Sequence, residues 1–92
     1  MGRTANLDKP ATLQSVNAAL AQLGFDEDEL VLVRGEGYHY VAGTASNTSA
    51  ESIYLVHTRH QTTRAWLHDV LDRVEEEQEE RVVEARSILD AM

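Results

Sequence analysis

The feature that most constrains this fold is the stretch 63–92, which contains no glycine or proline. Its first part carries an apolar face at helical spacing, formed by Trp66, Leu67, Val70, Leu71 and Val74. Positions 75–81 contain nothing apolar, and the face then restarts at Val82. With no helix breaker, the pattern predicts one long C-terminal helix, straight or bent, of about 28 residues and roughly 42 Å. Such a helix is longer than a small core is wide, so residues 75–92 are expected to project or to turn back over the sheet.

The restarted apolar face needs a partner. Its stripe consists of Val82, Ala85, Leu89 and Met92. A symmetric dimer through this stripe is one solution, because isologous pairs are the commonest oligomers. Packing onto the rest of the chain is the other, and the sequence does not choose between them.

The N-terminal part predicts an amphipathic helix over 10–23, with a stripe formed by Leu13, Val16, Leu20 and Leu23. Asp8 is placed to cap its start, and Pro10 is tolerated in a first helical turn. Gly24 stands where a left-handed C-terminal cap is expected, with Phe25 folding back over the last turn.

The middle of the chain has the β-branched and aromatic character of strands. We expect a hairpin of Leu30–Arg34 and Tyr38–Ala42 around a turn that contains Gly35 and Gly37. Ser52–His57 predicts a third strand. Sequential short strands favour an antiparallel meander. The predicted fold is therefore α+β, in the order α-β-β-β-α, with 1–92 as a single small domain.

Composition bounds the function. The chain has 92 residues, no cysteine and a formal charge of −8, from sixteen acids against eight bases. This balance argues against direct nucleic-acid binding, which needs a basic face, and it permits association with basic proteins. The N-terminus lacks the apolar segment of a signal peptide, and no run reaches membrane length. A cytoplasmic protein without membrane contact is expected.

Chemical motifs are missing from the sequence. No serine, histidine and acid are spaced for nucleophilic catalysis, and the "GEG" stretch is too short to cradle a phosphate. His57, His60 and His68 do not follow a known metal-ligand spacing. We therefore expect no enzyme, no catalytic residue, no metal and no cofactor.

Carboxylates are the most prominent candidate groups. On the predicted long helix they form an acidic stripe at steps of three and four, consisting of Asp69, Asp72, Glu76, Glu79 and Glu80. Helical neighbours lie about 5–6 Å apart, close to the spacing of phosphates along a nucleic-acid strand. Such a stripe can compete for phosphate-binding arginines and lysines. A second acidic patch is expected at the connection formed by Asp26, Glu27, Asp28 and Glu29.

Tyrosines are the other candidate. If both helices cover one face of the sheet, the opposite face is open, and Tyr38 and Tyr40 become anchors for a partner because tyrosine is enriched at binding hot spots. Trp66 is expected in the core.

In size, acidity and α/β layout the chain resembles the small phage and mobile-element inhibitors of the anti-CRISPR type. Those proteins are short and often acidic, and some mimic DNA on the effector complex. The pattern "RGEGYHYVAG…SIYLVH…AWL" is also similar to short bacterial proteins without assigned function, over residues 13 to about 72. Neither resemblance carries site residues.

Two main hypotheses follow, beside the remote one of a metal-dependent enzyme at His57, His60 and His68. The leading one is a non-enzymatic inhibitor, a DNA mimic if the resemblance holds, that occupies a basic nucleic-acid-binding surface through the acidic stripe and patch. It would act in the cytoplasm of the host cell if the protein is phage-derived. The alternative is a structural or assembly protein that dimerises through its C-terminal helix and binds a partner with its tyrosines.

Overall fold

A computed structural model describes residues 6–92 of the chain. Within them the architecture is α+β, with three α-helices and one two-stranded antiparallel sheet. Two short 3-10 turns, Thr58–His60 and Glu76–Gln78, connect these elements. None of the described helices has the length and apolar character needed to cross a membrane. The elements are α1 (Leu13–Gln22), β1 (Val31–Arg34), β2 (His39–Ala42), α2 (Thr63–Leu71) and α3 (Glu79–Ala91).

Helix α1 begins later than its apolar pattern suggested. Thr12, not Asp8, caps it: the Thr12 hydroxyl accepts from the Ser15 N–H at 2.9 Å, and the Ser15 hydroxyl accepts from the Thr12 N–H at 3.0 Å. This reciprocal pair satisfies two N–H groups that have no helical partner. Pro10 lies outside the helix, in a single antiparallel bridge with Thr62.

The end of α1 confirms the expected glycine cap. Gly24 has φ +99°, and the Phe25 N–H donates back to the Leu20 carbonyl at 3.1 Å. Glycine reaches this left-handed conformation without a steric penalty. Phe25 is consequently buried against the helix it follows, at 1% exposure.

The hairpin is also confirmed, with Val31 opposite Ala42 and Arg34 opposite His39. Gly37 supplies the positive φ of the turn, at +79°. The outer edge of β1 is closed by a side chain of α1. The Asn17 amide accepts from the Leu32 N–H at 2.8 Å and donates to the Leu32 carbonyl at 3.0 Å, as a neighbouring strand would.

The predicted third strand, Ser52–His57, is wrong. Only Ile53 forms a bridge with β2, through two hydrogen bonds to His39. The register places Leu55 opposite Gly37, which belongs to the turn, and the Leu55 carbonyl instead binds His39 Nδ1 at 2.8 Å. The ladder therefore stops after one pair.

The predicted long C-terminal helix is also wrong, since α2 ends at Leu71 and α3 begins at Glu79. Between them, around Val74, the chain pairs with the loop that follows β2. The Asn47 N–H donates to the Arg73 carbonyl at 2.7 Å, and the Glu75 N–H donates to the Ala45 carbonyl at 2.8 Å. A continuous helix would need the same two groups for its own hydrogen bonds, so tertiary pairing interrupts it.

Helix α3 turns back onto α2. Arg64, near the start of α2, donates to the Leu89 and Met92 carbonyls at 2.8 and 2.7 Å. Of the residues expected to dimerise, Ala85 and Leu89 are fully buried within the chain, and Val82 and Met92 pack against the same core. The stripe thus already has an intramolecular partner.

The core centres on Trp66, which is fully buried as expected. Its indole N–H donates to the Thr58 carbonyl at 2.7 Å, and its ring meets the ring of His39 edge-on at a centroid distance of 4.9 Å. His39 is also fully buried, and its Nε2 has no hydrogen-bond partner among the described residues.

Candidate partner-binding surface

The acidic stripe does not exist as a row on one helix. Asp69 belongs to α2, Asp72 caps the end of that helix, Glu76 lies in the 3-10 turn, and Glu79 and Glu80 occupy the first turn of α3. The regular spacing that suggested a substitute for phosphates is therefore wrong. Acids in a first helical turn also stabilise the helix by interacting with its dipole, which gives Glu79 and Glu80 a structural role in addition.

Three members of the stripe nevertheless meet at the corner between α2 and α3. They surround an open groove of about 340 Å³, and Glu75 joins them there. Apolar side chains complete the lining, so the groove combines carboxylates with surface that a partner can bury. We call it the acidic groove, and its lining residues are Asn47, Leu71, Asp72, Val74, Glu75, Glu76, Glu79, Val82 and Arg86.

Charge in this groove is poorly compensated. Four carboxylates line it against a single base, Arg86. Arg86 is already bound to Asp72 and donates to His68 Nδ1 at 2.8 Å. Glu75, Glu76 and Glu79 make no ion pair with any described residue. The groove therefore carries a net negative potential that a cationic partner can neutralise.

The second acidic patch has a different arrangement, because Glu29 is held by an arginine from α3. Arg81 donates to the two Glu29 carboxylate oxygens at 2.8 and 3.1 Å and to the Gly24 carbonyl at 2.8 Å. Its guanidinium lies 4.4 Å from the centre of the Phe25 ring. The hydrogen bond from Arg81 lowers the pKa of Glu29 to about 2, with the Asp26 N–H contributing.

The other members of that patch stay at the surface. Asp26, Glu27 and Asp28 are exposed, and the Asp26 carbonyl receives the N–H groups of Glu29 and Leu30, both at 2.9 Å. Asp26 and Glu27 border a groove beside α1 that shares no residue with the acidic groove. The patch is therefore a separate surface, one member of which fastens α3 to the loop before β1.

Three tyrosines form an aromatic cluster on the hairpin. The Tyr38 ring lies 6.1 Å from that of Tyr40 and 6.5 Å from that of Tyr54, between centroids. Tyr40 and Tyr54 are 39% and 78% exposed. Tyr54 was not among the tyrosines predicted from the sequence to bind a partner. The alternation of buried Ile53 with exposed Tyr54 was the available signal.

Tyr38 and Tyr40 border a second open groove, of about 320 Å³, between β2 and the loop that follows it. We call it the tyrosine groove, and its lining residues are Tyr38, Tyr40, Val41, Asn47, Thr48, Ala50, Glu51, Ser52 and Arg73. Arg73 stabilises its wall by donating to the Glu51 carbonyl at 2.8 Å.

The two grooves adjoin. Asn47 lines both, and the neighbours Asp72 and Arg73 line one each. The surfaces expected from two competing hypotheses, acidic and aromatic, thus form one continuous face. The fold creates it by pairing the chain around Val74 with Ser46, which brings the α2–α3 corner against the loop after β2.

The histidines do not converge. The rings of His57 and His60 are 5.2 Å apart between centroids, whereas His68 Nδ1 accepts a hydrogen bond from Arg86. Among the described residues, no three histidines or carboxylates are grouped so that they could hold a metal ion.

Comparisons with known protein families, curated proteins and solved structures gave no match to this chain. The functional argument therefore depends on the geometry of the two grooves.

Proposed function

We propose that this protein is a non-enzymatic inhibitor that occupies a basic, nucleic-acid-binding surface of a partner protein through the acidic groove. The observation that carries the proposal is the set of carboxylates at the α2–α3 corner, of which Glu75, Glu76 and Glu79 have no ion pair within the described residues. Surfaces that bind nucleic acid are rich in lysine and arginine, and these cations are the natural complement of such a groove.

The lining of the groove supports a protein as partner. Carboxylates steer a cationic surface into contact and set its orientation, while burial of apolar surface supplies affinity. Val82 is half-buried in the groove and available for such burial. The adjoining Tyr40 and Tyr54 extend the face with aromatic anchors. The competition with nucleic acid rests on this clustered charge and no longer on a helical row.

Inhibitors of the anti-CRISPR type are the class of protein that this proposal fits best. Its support is the combination of short length, a formal charge of −8 and an α+β fold with exposed carboxylates. The partner would then be a nucleic-acid-handling complex of the host, and the site of action the host cytoplasm.

Capture of partners from bacterial lysate at low salt, repeated at about 0.5 M salt, tests the proposal, because the Debye length then falls to roughly 4 Å. We expect a nucleic-acid-binding protein that salt releases. The double variant Glu76→Lys, Glu79→Lys should fail to capture it while it stays folded. Glu27→Lys, Asp28→Lys makes the same change in net charge outside the groove and should bind normally.

Equal capture by both double variants would contradict the proposal, as would a captured nucleic-acid-binding protein that competing DNA fails to displace.

A second candidate function is favoured by the exposure of Tyr54 and Tyr40. In it the chain is an assembly protein that binds its partner through the tyrosine groove, with the carboxylates serving solubility. Tyr40→Ala, Tyr54→Ala should then abolish capture, and 0.5 M salt should leave it intact because apolar contacts are not screened.

Self-association belongs to this second candidate. Val83 and Ile88 are the large apolar side chains that α3 exposes, at 64% and 37%. A dimer that uses α3 without unfolding it would therefore bury these two residues. Sedimentation equilibrium of the wild type and of Val83→Glu distinguishes such a dimer from a monomer.

A further inference from the structure

Basic groups gather at one place in this acidic chain. His57 immediately precedes the 3-10 turn Thr58–His60, which contains Arg59 and His60, and the two histidine rings stand 5.2 Å apart between centroids. Arg34 ends β1 beside them, since it pairs with His39 and His39 binds the Leu55 carbonyl just before the turn. We call Arg34, His57, Arg59 and His60 the basic cluster.

Among the described residues, the basic cluster is free of carboxylate partners, unlike three other arginines of this protein. Arg64, Arg81 and Arg86 each form an ion pair. Within the described ranges, by contrast, neither Arg34 nor Arg59 makes an ion pair or a side-chain hydrogen bond. Both are exposed, and so is His60. Two guanidinium groups are thus available to an anion from solution.

The positive groups of the cluster act on His57. Arg59 is the main cause that lowers the pKa of His57, with desolvation, His60, Arg34 and His39 acting in the same direction. No carboxylate opposes them. The carboxylate nearest to Arg34 along the chain is Glu36, exposed at the tip of the hairpin.

The turn that carries the cluster is anchored on both sides. The Thr58 carbonyl receives the Trp66 indole N–H at 2.7 Å, and Thr58 itself is 6% exposed. The next segment is fixed by the Ala11 N–H, which donates to the Gln61 carbonyl at 3.0 Å. An anion would therefore meet donors whose backbone is already in place, and this reduces the entropy lost on binding.

We propose that the basic cluster is a binding site for a phosphate-like oxyanion, either free phosphate or a phosphate monoester. Guanidinium groups present paired N–H donors that match the oxygens of such an anion. The adjacent imidazole rings of His57 and His60 can add ring N–H donors. This site is made by other elements than the acidic groove and takes a ligand of opposite charge, so it stands independently of the proposed function.

NMR titration of the ¹⁵N-labelled full chain with inorganic phosphate, and separately with O-phosphoserine, tests the site. We expect saturable shifts at Arg34, His57, Arg59 and His60, and the tighter ligand identifies the free or the esterified anion. Arg34→Gln and Arg59→Gln should each weaken binding by about tenfold, the loss expected for one charge-assisted contact. Lys9→Gln makes the same change in net charge outside the cluster and should leave the affinity unchanged.

A second measurement uses sulfate, whose own charge is constant between about pH 5 and pH 8, where histidines titrate. Bound sulfate should raise the pKa of His57, read from its ring resonances, because a nearby anion favours the protonated form. An unchanged His57 titration, or equal weakening by Lys9→Gln and Arg59→Gln, would overturn the proposal.

Discussion

Two runs of carboxylates in this chain look alike in sequence and differ in what they contact. Asp26–Glu29 has its last member bound to Arg81, which comes from α3. Glu75–Glu80 turns the corner into α3, and its members make no ion pair with any described residue. The first run therefore helps to hold the fold together through Glu29, whereas no member of the second is held in this way.

The difference teaches that the number of acids in a run does not determine their role. Glu29 is bound by Arg81, which lies 52 residues away in sequence. No pattern within the run Asp26–Glu29 predicts that contact. A carboxylate that is held by such a base is not available to a partner.

The largest expected effect on the free energy of unfolding comes from truncating Leu89, the buried side chain that packs α3, and with it the second run, against the core. Leu89→Ala should lower the free energy of unfolding by about 2–5 kcal/mol, the usual result of deleting a fully buried leucine. Urea denaturation measures it. Ile88→Ala changes a neighbour that is 37% exposed and should cost clearly less. Equal losses would mean that α3 does not pack as described.

The second-largest loss of stability is expected when Glu29 loses its ion pair with Arg81. Arg81→Met keeps an apolar stem over Phe25 and removes the ion pair and the hydrogen bond to Gly24. We expect a loss of about 1 kcal/mol in unfolding free energy, since the pair is partly screened by solvent. Arg59→Met removes an exposed arginine that has no such contacts. Its free energy of unfolding should stay within about 0.5 kcal/mol of the wild-type value.

The pH dependence of stability should distinguish the two runs. The folded-state pKa of Glu29 is about 2 against an ordinary 4.5. Its stabilising contribution is therefore fully present above the ordinary pKa and is lost as the pH falls towards 2. In thermal melts across this range, Glu29→Gln should lose less stability on acidification than the wild type. Parallel curves would show that Glu29 is not paired in solution.

The smallest effect is expected in the second run. Glu76→Gln should change the unfolding free energy by less than about 0.5 kcal/mol, because exposed side chains without partners contribute little. Reduced repulsion with its acidic neighbours offsets part of any loss. A loss comparable to that of Arg81→Met would reveal a structural contact and would remove Glu76 from the binding surface.

Local signals in the sequence predicted the elements that local interactions determine. Helix α1 and its glycine end follow from apolar spacing and from Gly24. The hairpin follows from β-branched residues around Gly37. Its register did not follow from the predicted bounds, which left residues 35–37 in the turn; Arg34 instead pairs with His39, and the Gly35 N–H donates to the Tyr38 carbonyl.

The elements that failed depend on distant pairing. Nothing near Leu71 breaks a helix, and the break arises because Arg73 and Glu75 hydrogen-bond to the loop at 45–47. The absence of apolar residues at 75–81 was the one sequence signal of the corner. Likewise Ser52–His57 has the composition of a strand. It cannot extend its pairing with β2 past His39, because the residues that precede His39 form the hairpin turn. The acidic groove could not be predicted because its residues meet only once α3 has folded back.

The contact between Asn17 and Leu32 also matters for behaviour at high concentration. Exposed sheet edges recruit further strands from other molecules, and this is a common route to fibrils. A single carboxamide occupies the outward N–H and C=O of Leu32 in β1 and denies them to a neighbouring chain. Asn17→Leu would keep the bulk of the side chain and free both groups. We expect this variant to form thioflavin-positive aggregates where the wild type stays dispersed, so Asn17 protects the protein against intermolecular sheet growth.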